Sequence, residues 1–276
     1  MKLRVKKPSM VIYVLAALLC ASLAGCGGSK EADTTEKLNG NSDLEYVKNK
    51  GTLVVGLTEY APMGYRSQDA WAGFDVELAE GFAKELGVTV EYKEINWDDK
   101  VKLLENGTID CIWNGMTMTD ELAEQINCSS PYLSNAQTVV IPGNKEKQYE
   151  TVEEYQHMLF AVESGSTGES LVKELKYRYV TYATQREAVE SVDKNQCDAA
   201  VIDGVMASCY VGAGHEFENL AMGVSLNDEK ICVGLRKGSN LTGKLEDYFI
   251  KVSEDGTFQS LAAAYGLEEA ILSMEE

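Results

Sequence analysis

Apolar residues arrive in two rhythms between positions 53 and 113, and their alternation predicts the architecture. Leu53-Val54-Val55-Gly56-Leu57 is apolar throughout, as a strand buried on both faces is. From Asp75 the apolar residues Val76, Ala79, Ala83 and Leu86 recur at helical steps, which predicts a helix capped by Asp75 and stopped by Gly87. Val88-Thr89-Val90-Glu91-Tyr92 then alternates as a half-buried strand does. A helix over 98–105 leads through Asn106-Gly107 into the strand Ile109-Asp110-Cys111-Ile112-Trp113.

The rhythm repeats downstream. Strands are predicted over 159–162, 179–182 and 199–202, with helices from Gly168 and over 185–194. Strands alternating with helices argue for two α/β units, each built on a largely parallel sheet. The extended stretches 137–141 and 230–235 join the units, and helices over 241–253 and 257–265 pack back onto one of them. Two such units leave a cleft between them, and small-molecule sites favour interfaces of this kind.

The first residues tell a different story. Lys2, Arg4, Lys6 and Lys7 precede an apolar run over 10–24, the pattern of a secretory leader. The run falls short of the ~20 residues that a bilayer span needs. It closes on Leu23-Ala24-Gly25-Cys26, which resembles the bacterial lipobox; the resemblance implies cleavage before Cys26 and a lipid on its sulfur. The expected layout is a signal peptide over 1–25 and a polar, flexible, lipidated tether over 26–42. A bacterial cell-membrane protein, anchored on the outer face through that lipid alone, is the expectation.

The net charge is −19, and loss of the leader removes four of the 25 basic residues and none of the 44 acidic ones. That excess disfavours nucleic acid and anionic lipid as partners. Beyond Cys26 the cysteines are Cys111, Cys128, Cys197, Cys209 and Cys232, an odd set without Cys-x-x-Cys spacing. It suits neither a disulfide framework nor a zinc site, so no metal and no cofactor is expected.

In open α/β sheets ligands bind beyond the carboxyl ends of the strands. The residues directly after each strand therefore make up the candidate site. Tyr60 comes after the first strand, and Asn114, Gly115, Met116 and Thr117 come after the strand that ends at Trp113. Gly165-Ser166-Thr167-Gly168 opens a helix whose free N–H groups suit an anion, although a plain helix cap reads the same way. Asp203 ends a strand, where it could accept from an ammonium group or simply make a turn. Tyr60 and Trp97 could stack on a solute or sit in the core.

The stretches Gly73-Phe74-Asp75-Val76-Glu77-Leu78-Ala79, Asn106-Gly107-Thr108-Ile109-Asp110, Met116-Thr117-Met118-Thr119-Asp120-Glu121, Ser130-Pro131-Tyr132, Gly165-Ser166-Thr167-Gly168-Glu169 and Asp198-Ala199-Ala200-Val201-Ile202-Asp203 occur in this order. Together they resemble the family 3 extracellular solute-binding proteins, the polar amino-acid receptors of ABC importers. The resemblance implies a two-lobed type II periplasmic-binding-protein fold. Lobe 1 would comprise 43–132 plus 232–276 and lobe 2 would comprise 137–228, with hinges near 132–136 and 227–231. It implies that Tyr60 and Trp97 sandwich the ligand side chain, that Gly115, Thr117, Ser166 and Thr167 contact an α-carboxylate, and that Asp203 accepts from an α-ammonium. Asn114, Met116 and Gln137 would tune selectivity, and no second acid is placed to meet a basic side chain, so neutral polar or aromatic solutes are preferred.

One position departs from the family pattern. Leu122 stands where the family carries the arginine that clamps the α-carboxylate. Either the solute lacks a free carboxylate, or another cation such as Arg66 or Arg186 replaces the clamp, or affinity has been lost. The expected partners are the solute, an ABC permease and its ATPase subunits, since the chain has no phosphate-binding Gly-x-x-x-x-Gly-Lys-Ser/Thr motif of its own. A monomer that binds rather than catalyses is expected. The rival readings are a lipid-anchored sensor that signals through a partner, and an exported dehydratase of the same fold with Glu59, Asp203 or Glu163 as general acid.

Overall fold

Two mixed sheets are built around the apolar runs, in a computed structural model that describes residues 42–273. The predicted leader and Cys26 lie outside the described residues, as does most of the tether. Among the described residues no helix is long and apolar enough to cross a membrane.

Helix α1 (Asp43–Lys50) leads into β1 (Thr52–Leu57), followed by the small hairpin β2 (Tyr65–Ser67) and β3 (Ala70–Ala72). Helix α2 (Phe74–Leu86), β4 (Thr89–Glu94), α3 (Lys100–Glu105) and β5 (Cys111–Thr117) complete the first alternation. Strand β1, buried along nearly its whole length, runs parallel to both β4 and β5. Next come α4 (Asp120–Gln125), β6 (Asn127–Cys128) and β7 (Leu133–Asn135).

After Ala136 the chain enters the second sheet as β8 (Gln137–Pro142). That sheet takes β9 (Leu159–Glu163), α5 (Thr167–Glu174), β10 (Arg178–Tyr182), α6 (Gln185–Asp193), β11 (Ala199–Asp203), α7 (Gly204–Tyr210) and β12 (Leu220–Ser225). Its order is β10-β9-β11-β8-β12, with β9 parallel to β10 and β11, and β8 antiparallel to β11 and β12. The chain then returns as β13 (Glu229–Leu235), which lies antiparallel to β5, β6 and β7 in a first sheet ordered β4-β1-β5-β13-β6. Each sheet is thus a parallel triplet extended by antiparallel strands, and each change of sheet places such a strand beside the triplet.

Helices α8 (Leu241–Glu254) and α9 (Thr257–Ala264) cover the first sheet. Phe249 meets Trp113 edge-on at 5.7 Å and Tyr132 at 5.5 Å, while Phe258 stands edge-on to Phe74 at 5.5 Å. The apolar stripe of α2 packs beneath them. The cap expected of Asp75 is not made. Gly73 holds the N-cap position, and Asp75 is buried, accepting from the Tyr132 hydroxyl at 2.8 Å and the Gly115 amide at 2.7 Å. Its carboxyl ties α2 to the far end of β5 instead.

The opposite end of the first sheet is closed by a buried ion network. Arg236 grips Asp43 through Nε at 2.9 and 3.0 Å, reaches Asp110 at 3.3 Å, and donates to the carbonyls of Leu104 and Ile109. Lys50 completes it by donating to Asp110 at 2.6 Å. Removing one partner of such a group leaves buried charge without compensation, at about 3–5 kcal/mol. Arg236→Leu should therefore lower the unfolding free energy by about that amount in urea titrations, and a loss within the error of the measurement would show the network to be dispensable.

Candidate functional site

The carboxyl ends of β1, β5, β9 and β11 face one cavity. Position 115 explains part of its shape. Gly115 has φ +59°, and a Cβ there would collide with Cε1 of Tyr60, so only glycine lets the ring lie against this backbone. Asn114, one residue earlier, accepts from the Thr58 amide and hydroxyl at 2.8 and 3.0 Å, which locks the β1 and β5 ends together. Trp97 opens a short 3₁₀ turn capped by the Asn96 side chain and is buried against Leu104, Ile112 and Met116.

The second sheet supplies the other wall. Ser166 caps α5 by accepting from the Glu169 amide at 3.1 Å, and the Glu169 carboxylate takes the Gly165 amide at 2.8 Å. Asp203 receives Gln137 at 3.0 Å together with the amides of Asn135 and Gln185. Glu163, the last residue of β9, is 3% exposed. The nine residues singled out from sequence, namely Tyr60, Trp97, Asn114, Gly115, Met116, Thr117, Ser166, Thr167 and Asp203, all line this cavity.

Thr58, Lys100, Leu122, Gln137, Glu163, Gly165 and Gln185 line it too. The sequence reading does not anticipate Thr58, Lys100 or Gln185, and it offers Glu163 only as an acid catalyst. Glu163 ends β9 as Asp203 ends β11, so counting the last strand residue along with its successors finds it. Lys100 is the interruption of an apolar helical face shared with Trp97, Val101 and Leu104. Its ammonium crosses the cleft to donate to the Gly165 carbonyl at 2.9 Å, and to the Trp97 carbonyl at 3.2 Å.

Three expectations need correction. Arg66 pairs with Glu94 and stacks on Trp71 at the surface, and Arg186 pairs with Glu216; neither lines the cavity. Glu59 does not line it either. A second acid, Glu163, does line the space, where the sequence placed none. The Gly115 amide and the Thr117 hydroxyl, both expected to contact a carboxylate, here donate to Asp75 at 2.7 Å and to Glu229 at 2.9 Å.

Burial dominates the electrostatics. It pushes Glu163 up to about 8, helped by the charge of Asp203 and opposed by Lys100 and Gln185. It pushes Asp203 up to about 7, helped by Glu229 and opposed by the amides of Gln185, Asn135 and Gln137. Asp75, behind the wall, is likewise raised to about 7 by burial, against the hydrogen bonds of Tyr132 and Gly115. Burial lowers Lys100, against the pull of Glu163, Asp98 and Glu121. The Tyr60 hydroxyl, Asn114 Nδ2 and Glu163 Oε1 are buried without a protein partner. Unpaired buried polar atoms cost free energy unless something else completes them.

The cavity encloses about 40 Å³, the space of a few water molecules at ~10–15 Å³ each. A solute can therefore enter only when the two walls part. A cleft between two α/β lobes, lined from both, with open polar atoms at strand ends, defines a two-lobed ligand-binding protein.

The chain belongs to the bacterial extracellular solute-binding proteins, family 3, whose model matches residues 53–268. It is 26% identical over 257 residues to the arginine-binding extracellular protein ArtP of Bacillus subtilis, covering 91% of this chain and 95% of that one. It is 30% identical over 228 residues to the L-cystine-binding protein TcyJ of Escherichia coli, covering 79% and 84%. Among solved structures, an ancestral amino acid-binding protein described as a precursor of cyclohexadienyl dehydratase superposes with a TM-score of 0.75 at 28% identity, covering 80% of this chain and 98% of that one.

The raised carboxyls make stability depend on pH. Between the unfolded values of 3.8 and 4.5 and the folded values near 7 and 8, the folded chain holds more protons than the unfolded one. Their contribution is fully present below about pH 4 and is lost as pH rises through 7 to 8. The ligand-free melting temperature should fall across that window, and Glu163→Gln should flatten the part of the fall that extends to pH 8. Identical slopes for both proteins would remove Glu163 from the account.

Proposed function

We propose that the chain is the solute receptor of an ABC importer, exported and held on the outer face of the membrane by a lipid on Cys26. It captures an amino acid or amino-acid-like solute when its lobes close. The observation that carries this reading is the cavity itself, shared by both lobes and lined by buried polar atoms without a protein partner. The relatives named for arginine and for L-cystine support a ligand of that general kind.

In this reading lobe 1 comprises 43–132 plus 232–276, lobe 2 comprises 137–228, and the hinges lie where the chain changes sheet, near 132–136 and 227–231. Opening there separates Trp97 and Tyr60 from Ser166, Thr167 and Asp203; closure brings them around the solute and is favoured by the contacts so gained. The closed monomer docks on a permease, whose separate subunits hydrolyse ATP. Asp203 receives a nitrogen of the solute, and Trp97 and Tyr60 cover its hydrocarbon portion.

A dehydratase is the second reading, favoured by one feature: Glu163 is held protonated near neutral pH in the cavity, as a general acid must be. Consumption of a prephenate-like acid by the purified protein would establish it, and recovery of intact acid after prolonged incubation would dismiss it.

A thermal-shift panel of amino acids, amines and amides tests capture directly. A solute at 100 times its Kd adds about 2.7 kcal/mol, a shift of several degrees. Asp203→Asn should abolish the shift while the variant stays folded. A panel in which no member moves the midpoint would remove the receptor reading.

A further inference from the structure

The cavity leaves open two donors, the Tyr60 hydroxyl and Asn114 Nδ2, and one carboxyl oxygen, and the last of these narrows the solute. Glu163 Oε1 is buried and unpartnered, and its residue lines the space. Three of the donors that would meet a carboxylate are already used inside the protein. The Thr117 hydroxyl goes to Glu229, the Gly115 amide to Asp75, and the Gly165 amide to Glu169. Lys100 directs two of its three hydrogens to the carbonyls of Trp97 and Gly165. At position 122 the wall is a leucine packed with Met116, Met118 and Cys128.

The charge balance points the same way. Four carboxyl groups stand at or just behind the wall: Glu163, Asp203, Glu229 and Asp75. The Glu229 carboxyl accepts from Thr117 at 2.9 Å and from Gln137 at 3.0 Å. One ammonium, Lys100, faces them. A solute carboxylate would add another acidic group to this space, where Leu122 offers it no arginine clamp, whereas a cation would offset the excess. Desolvated charge is tolerated only when paired.

Resting on the receptor reading, we propose that the captured solute is a small cation without a free carboxylate, an amine or an amino-acid amide, whose nitrogen Glu163 accepts. Asp203 shares the cation across the cavity, and Trp97, Met116 and Leu122 take the hydrocarbon end. Glu163 is then the residue that determines specificity, and Leu122 is the part of the wall that refuses the acid.

The test uses matched sets: arginine, argininamide and agmatine; histidine, histidinamide and histamine; phenylalanine, phenylalaninamide and phenethylamine. Each is titrated calorimetrically into the intact mature protein, Glu163→Gln, Lys100→Met and Leu122→Arg, with circular dichroism confirming the fold of each variant. In at least one set, the amide or amine should bind tenfold or more tightly than the parent acid. Glu163→Gln should weaken that binding by tenfold or more. Leu122→Arg should shift the preference back toward the parent acid. If instead the parent amino acid binds as well or better, and Lys100→Met destroys that binding, Lys100 is the carboxylate receptor and the proposal is overturned while the receptor reading stands. If no member of any set binds any form, both are overturned.

Discussion

Two side-chain amides hold the cleft in register. Asn135 and Gln137 flank the point where the chain first changes sheet, and each donates to both Asp203 and Glu229. Asp203 ends a strand of the second sheet and Glu229 begins the returning strand of the first. The two carboxyls would repel each other in a buried setting; the amides between them make the proximity tolerable. The strand pairing that sets Gln137 opposite Asp203, and Asn135 opposite Glu229, is therefore fixed by electrostatics as well as by the backbone ladder. Thr117 of the cavity wall joins that junction, its hydroxyl donating to Glu229.

The alternation of elements was legible because it rests on local periodicity. Runs such as 53–57 and 199–202 are apolar from end to end since neighbours cover both faces, and the spaced positions of α2 mark its buried stripe. The strand-end rule then located the candidate cavity, because parallel triplets present their carboxyl ends on one side. The features that the sequence concealed depend on distance along the chain. Arg236 meets Asp43 and Asp110 only after folding, and Asp75 looks like a helix cap until Tyr132 and the Gly115 amide arrive from other elements. Lys100 and the binding role of Glu163 were hidden by a different effect: one interrupts the apolar face of a short helix, the other reads as the ragged end of a strand. Only burial reveals them as titratable groups in a closed space.

Surface and pocket obey separate rules in this molecule. The chain as a whole is strongly acidic, which the solvent screens and which says little about a solute. The handful of carboxyls at the cavity is different in kind, because burial raises their proton affinity and makes each unpaired oxygen costly. The exposed Arg66 and Arg186 satisfy exposed glutamates and leave the pocket untouched. Selectivity in such a protein is governed by which donors and acceptors are already used internally, and the inventory of the free ones is the template for the solute.

The bond from Lys100 to the Gly165 carbonyl spans the cleft and requires no solute. A clasp of this kind gives the empty protein a reason to shut, so the lysine's contacts add to the population of the shut form. For a membrane partner that responds only to the shut form, that population is background noise, present even when the surroundings are bare. The strength of the clasp sets the height of that background, and the affinity of the cavity sets the concentration at which cargo rises above it.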